Sequence, residues 1–156
     1  MCLMVEFELK GLDELRKSLK RLPAKMQQKG LKSALGKAAR VIRNAAKENA
    51  LRVDDPETGR RIADNIVQRV RGRHTRRTGD LMVSVGVATE RGRIPKGNPD
   101  DGAKGNTPHW HLVELGTEKM QAQPFLRPAV EGSAESSFDV FAEEVDRQVQ
   151  KALAEK

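Results

Sequence analysis

Between Leu31 and Ala45 apolar residues recur at spacings of three and four, at Leu31, Ala34, Leu35, Ala38, Val41, Ile42 and Ala45. Lys32, Lys37, Arg40, Arg43 and Lys47 fill much of the remaining surface. Such spacing lays one apolar stripe along a helix. Because alanine is so frequent in the stripe, a partner element has to come very close before anything is buried. The rest of the composition points the same way: 37% of residues are hydrophobic and only 3% aromatic, so the core must be thin and built from small aliphatic side chains. A chain of 156 residues is one domain of ordinary size, read here as spanning 1–156. A thin core in a domain of that size favours further burial against other subunits.

Around this helix the remaining pattern is short strands, turns and a second helix. Met4 to Leu9 alternates, with Val5, Phe7 and Leu9 opposite Glu6 and Glu8, as a half-buried strand does. Asp13 suits the cap of a short helix that passes through Leu15 and Leu19 before Pro23 interrupts it. The long helix then runs from Leu31 to about Leu51. Ile62 and Ile66 suggest a short helix passing into a strand towards Arg71, and Leu81 to Ala88 is a strand with Val83, Val85 and Val87 on one face. Thr78-Gly79-Asp80 turns between them, giving an antiparallel hairpin whose tip is crowded by Arg69, Arg71, Arg73, Arg76 and Arg77. Glu90 to Pro108 has four glycines, three prolines and almost nothing apolar, so it is expected as a mobile loop. From Val130 to Ala152 an apolar stripe through Phe138, Phe141, Val145 and Val149 predicts a final helix, with Glu135, Asp139, Glu143, Glu144 and Asp146 on the opposite, solvated side. The fold class is α+β: a small antiparallel sheet packed against the long helix of the N-terminal half and the C-terminal helix. The N-terminal strand, the hairpin and His109 to Leu115 are expected to form that sheet.

The most distinctive stretch is His109 to Glu131, HWHLVELGTEKMQAQPFLRPAVE. His109 to Leu115 is read as a short strand that ends at Gly116-Thr117. Glu114, between Val113 and Leu115, either faces solvent or is held by a partner such as an arginine or backbone amides. Pro124 suits the first position of a helix, and Pro128 is tolerable because it still lies in the first turn. Phe125 and Leu126 would enter the core.

The run His-Leu-Val-Glu-Leu-Gly-Thr followed by Gln-Pro-Phe-Leu-Arg-Pro-Ala resembles the Glu-Phe-Gly-Thr and Pro-Phe-Leu-Arg-Pro-Ala signature of a family of head-to-tail joining, or tail-completion (neck), proteins of long-tailed bacteriophages. Thr58-Gly59-Arg60, leading to Ile62 and Ile66, is similar to that family's Thr-Gly-Arg-Leu segment. The resemblance implies a structural, non-enzymatic protein without a cofactor. Its copies would assemble, as a ring, with themselves and with other neck, connector and tail proteins. Assembly would take place in the host bacterial cytoplasm, and the protein would then reside in the virion. It further implies that His109, Trp110, Glu114, Gly116, Thr117, Pro124, Phe125, Leu126, Arg127 and Pro128 form the assembly signature. Gly116 and Pro124 would shape the backbone, and Glu114 with Arg127 would make a polar link. The same residues read without the family are core and turn residues.

Charge supplies the alternative. The net charge is +7, with seven arginines against one acid from Arg60 to Arg77 and seven acids against three bases from Val130 onward. A basic body with an acidic tail means nucleic acid on one face, complementary surfaces between neighbouring subunits, or solvated helix faces. The arginines could form a basic interface or line a channel that carries DNA, and a basic module that binds nucleic acid non-specifically is the rival function. No tyrosine and one tryptophan argue against base reading. A host-encoded toxin or small enzyme is the other rival, but its chemistry has little to stand on. His109-X-His111 with Glu114 lacks the further ligands of a zinc site, His74 sits alone among arginines, and no nucleophile elbow or phosphate-binding loop occurs. Cys2 alone cannot form an internal disulfide. No run reaches the length of a membrane span, and the first residues do not resemble an export signal.

Overall fold

A computed structural model describes residues 12–21, 23–54, 61–88 and 107–154. In chain order the described elements are helix α1 (Leu12–Lys20), α2 (Ala24–Val53), α3 (Ile62–Asn65), strand β1 (Ile66–Val70), α4 (Gly72–Thr78), strand β2 (Val83–Val87), α5 (Trp110–Leu115) and α6 (Leu126–Ala154). The class is α+β, and its axis is the antiparallel pair α2 and α6. Gly30 meets Gln148, Ala38 meets Ser137 and Asn49 meets Phe125, so the two helices run in opposite directions along most of their length. Small residues on α2 make this approach close. A Cβ added at Gly30 would lie 3.3 Å from the Cβ of Gln148.

Burial divides into two clusters along the pair. Ala34, Val145, Val149 and Ala152 form one, with Leu19 of α1, Leu31 and Phe141 packed against it. Ala46, Ala50, Ile62, Ala63, Ile66, Phe125 and Ala129 form the other, beneath Val85, Val87, Trp110 and Val113. Phe125 is the largest fully buried side chain in the described residues. The sheet closes this second cluster. β1 and β2 pair antiparallel with Ile66 opposite Val87, Gln68 opposite Val85 and Val70 opposite Val83. Strand alternation sends Ile66, Val85 and Val87 inward, where Gln68 Nε2 donates to the Gly36 carbonyl at 3.0 Å. Val67, Arg69, Ser84 and Gly86 take the other face.

The expected helix-to-strand passage occurs at Asn65–Ile66, and it has a definite anchor. Both oxygens of Asp54 accept from backbone N–H groups at the start of α3, Ile62 at 2.8 Å and Ala63 at 3.2 Å. These are amides that a helix start leaves without intrahelical partners.

Several expectations are corrected. His109 to Leu115 is not a strand: Trp110–Leu115 is helical, and its inward residues are Trp110, Val113 and Glu114, which share a face at helical rather than strand spacing. Among the described residues the sheet therefore has two strands. The expected strand Met4 to Leu9 and the segment Thr58-Gly59-Arg60 lie outside the described residues, as does the expected loop from Glu90 as far as residue 106. The tip of the hairpin is not a tight turn but α4, ended by Gly79 in the left-handed conformation at φ 83°. The long helix begins earlier than Leu31, at Ala24, directly after Pro23. Asp13 lies inside the first turn of α1 rather than before it. Pro124 precedes the helix that it was expected to open, since α6 starts at Leu126, and Pro128 sits in its first turn.

Candidate functional site

The residues of the distinctive stretch converge on one joint, where α5 hands the chain to α6. Glu114 is buried, and its carboxylate accepts three backbone N–H groups: Phe125 at 2.7 Å, Leu126 at 3.0 Å and Arg127 at 3.1 Å. A glutamate on one helix thus caps the start of another, filling the place that a local serine or aspartate usually takes and adding a negative charge at the positive end of the helix dipole. Of the two readings of Glu114, the structure shows the one with backbone amides as partners. Its link to Arg127 runs through the backbone N–H.

The loop between the helices is folded on itself. Gly116 has φ 75°, and a Cβ there would stand 2.7 Å from Ala122 N and 2.9 Å from Met120 O, so both the conformation and the space require glycine. Thr117 Oγ1 accepts from Lys119 N at 3.3 Å and Met120 N at 3.0 Å, and Gln123 N donates to the Val113 carbonyl at 2.8 Å. Asn49 Nδ2 donates to the Phe125 carbonyl at 3.2 Å, tying the joint to α2. Pro124, Arg127 and Pro128 are exposed, Leu126 is half-buried, and Leu115 is 67% exposed. His109 is half-buried; His111 is exposed and packs edge-on to Trp110, with ring centroids 6.0 Å apart. Among the described residues no three metal-ligating side chains come together.

The arginines form a second, separate surface. Register and alternation put Arg69 and Arg71 on the outward face of the hairpin beside Ser84, and Arg71 Nε donates to Ser84 Oγ at 2.7 Å. One turn of α4 separates Arg73 from Arg77, and with Arg71, His74, Met82 and Ser84 they line a groove of about 520 Å³. Arg76 lies elsewhere on α4 and does not line it. Among the described residues no carboxylate pairs with any of these five arginines.

One feature of the helix pair was missed by the sequence reading. Glu144, placed there with the solvated acids, is 3% exposed and faces α2. Ser33 Oγ donates to it at 2.8 Å and Lys37 Nζ at 2.6 Å, while Arg147 and Gln148 of α6 donate from the other side. The Arg147 guanidinium foremost, against the opposing effect of burial and with help from Lys37, Gln148 and Ser33, holds this carboxyl well below the usual range. The signal was present in the sequence: Ser133, Ser137, Glu144 and Gln148 occupy one flank of α6, and on α2 Ser33 and Lys37 flank Gly30 and Ala34 at helical spacing.

Comparison with protein families matches residues 13–116 to the family described as "Bacteriophage HK97-gp10, putative tail-component". The chain belongs to this HK97-gp10-like family of phage tail components. No curated protein and no solved structure matches it. The match runs from α1 through α5 and ends at Gly116. It thus includes the arginine groove and the Glu114-Leu115-Gly116 end of α5, while α6 and its Pro-Phe-Leu-Arg-Pro-Ala entry lie beyond it. For an HK97-gp10-like tail component, two surfaces stand out: the α5–α6 joint and the arginine hairpin. As a tail component the protein resides in the virion, among other phage structural proteins. Among the described residues no helix is long and apolar enough to cross a membrane.

Proposed function

We propose that this tail component completes the joint between filled head and tail, with copies assembling as a ring at the end of the tail or neck. Family membership supports a structural rather than a catalytic role, and the partners are then further copies and the neighbouring neck, connector and tail proteins. The observation that carries the reading is the hairpin. Arg71, Arg73 and Arg77 line one outward groove, and Arg69 stands beside Arg71 on the outward strand face; none has a carboxylate partner among the described residues, which is how a charged surface looks before its partner docks. The same arginines support a secondary contact with passing DNA, because guanidinium groups take phosphate as readily as carboxylate.

Cross-linking and mass spectrometry of purified virions tests the proposal. The expected result is cross-links from this chain to itself and to proteins of the neck or tail end. Virions without the chain, or cross-links confined to the capsid shell, would overturn it.

A further inference from the structure

α6 carries the electrostatic counterpart of the arginine groove. Glu131, Glu135, Asp139, Glu143 and Asp146 are all exposed and follow one another at intervals of four, four, four and three along the helix surface. Such a row is a single inclined ridge, rising about 6 Å per carboxylate and about 22 Å from end to end. None of these five acids is in a salt bridge or hydrogen bond within the described residues, in contrast to Glu144 on the inner flank of the same helix. Among the described residues, two surfaces of opposite sign therefore stand without charged partners, and no ion pair joins them.

We infer that the acidic ridge of α6 on one copy seats in the arginine groove of the next copy. This rests on the assembly reading and gives it an interface. The spacing is compatible: Arg73 and Arg77, which both line the groove, are one helical turn apart, about 6 Å, and that matches the rise between neighbouring carboxylates of the ridge. Arginine suits the task because its planar fork takes a carboxylate through two parallel N–H donors. Arg71 is already oriented by Ser84. Groove and ridge are different surfaces, so the contact is heterologous; repeated from copy to copy it closes a ring or extends a filament, whereas a self-complementary surface would stop at a dimer. A nucleic-acid occupant would use the groove and leave the ridge without a partner.

The test is charge reversal with exchange. Arg73→Glu with Arg77→Glu reverses the groove, and Glu135→Lys with Asp139→Lys reverses the ridge; circular dichroism and thermal melting verify that both variants fold. Sedimentation velocity at low and high salt reads association. The native chain is expected to associate at low salt and dissociate as salt rises. Each variant alone is expected to associate roughly 100-fold more weakly. An equimolar mixture of the two variants, or a chain carrying all four changes, is expected to regain association, because each reversed surface again faces its opposite. Unchanged association in the variants, or no recovery in the mixture, overturns the interface. So does a native chain that stays monomeric at every salt concentration, although the assembly reading survives if virion cross-links still place the chain at the joint. Loss of salt-sensitive binding to a short DNA duplex on groove reversal, with self-association untouched, would reassign the groove to phosphate.

Discussion

At the scale of single residues, two carboxylates are used as connectors. Asp54 caps α3 and Glu114 caps α6, each across an intervening stretch of chain, so the beginnings of two helices are fixed by side chains from elsewhere. Removing Glu114 by substitution with Ala should cost about 2–4 kcal/mol, because three backbone N–H groups lose an ionised acceptor and one of them, at Phe125, is buried. Glu114→Gln keeps one acceptor oxygen and should cost less; urea unfolding of both variants measures the difference. Gly116→Ala should cost at least about 2 kcal/mol through the positive φ and the contact with Ala122 and Met120 backbone atoms. A melting temperature equal to that of the native chain would contradict this account of the joint.

Glu144 links the residue scale to pH. Its carboxyl is held below its ordinary value of 4.5 in the folded state, so the folded protein binds this proton less readily than the unfolded chain. The stability it contributes is therefore fully present above that ordinary value and is lost progressively as pH falls below it. Equilibrium unfolding should show native stability declining below about pH 4.5, with a smaller decline in Glu144→Gln. Equal slopes in the two proteins would show that the network does not govern acid stability. At neutral pH, Glu144→Gln should cost about 1–3 kcal/mol, less than breaking a fully buried pair, since Lys37 and Arg147 can return to water.

At the scale of elements, the fold depends on how closely α2 and α6 approach. Ala34 is fully buried between Val145 and Val149, so Ala34→Leu should push the helices apart and cost about 1–3 kcal/mol, whereas a leucine at exposed Lys32 should change little. Thermal melts of the pair of variants test this directly. The helical stripes and the strand Val83–Val87 were legible in the sequence because each rests on a local period that packing preserves. The identity of α5 was not legible. Over seven residues the run His109 to Leu115 fits either period, and what decides it is the cluster of Ile62, Ile66 and Phe125, far along the chain, against which Trp110 and Val113 pack. Glu144 was misplaced for a related reason. It stands at the edge of the apolar stripe, where only the position of Lys37 on the partner helix determines whether a glutamate faces water or a cation. Of the joint, Gly116 could be read from its residue type, while the three amides that receive Glu114 depend on how the loop folds.

At the scale of the whole molecule, membership of a phage tail-component family meets a closely packed α2–α6 pair and two surfaces of opposite charge with no partner within the described residues. The sheet packs on α2 and α2 packs on α6, so groove and ridge are carried by one packed framework. Such a framework lets one contact, repeated, define a closed assembly. Phage lacking this chain provides the most direct measurement: electron microscopy and infectivity of its lysates, before and after addition of the purified protein. Filled heads and separate tails are expected without the protein, and joined, infectious particles once it is added. Joined and infectious particles formed in its absence would contradict the proposed role.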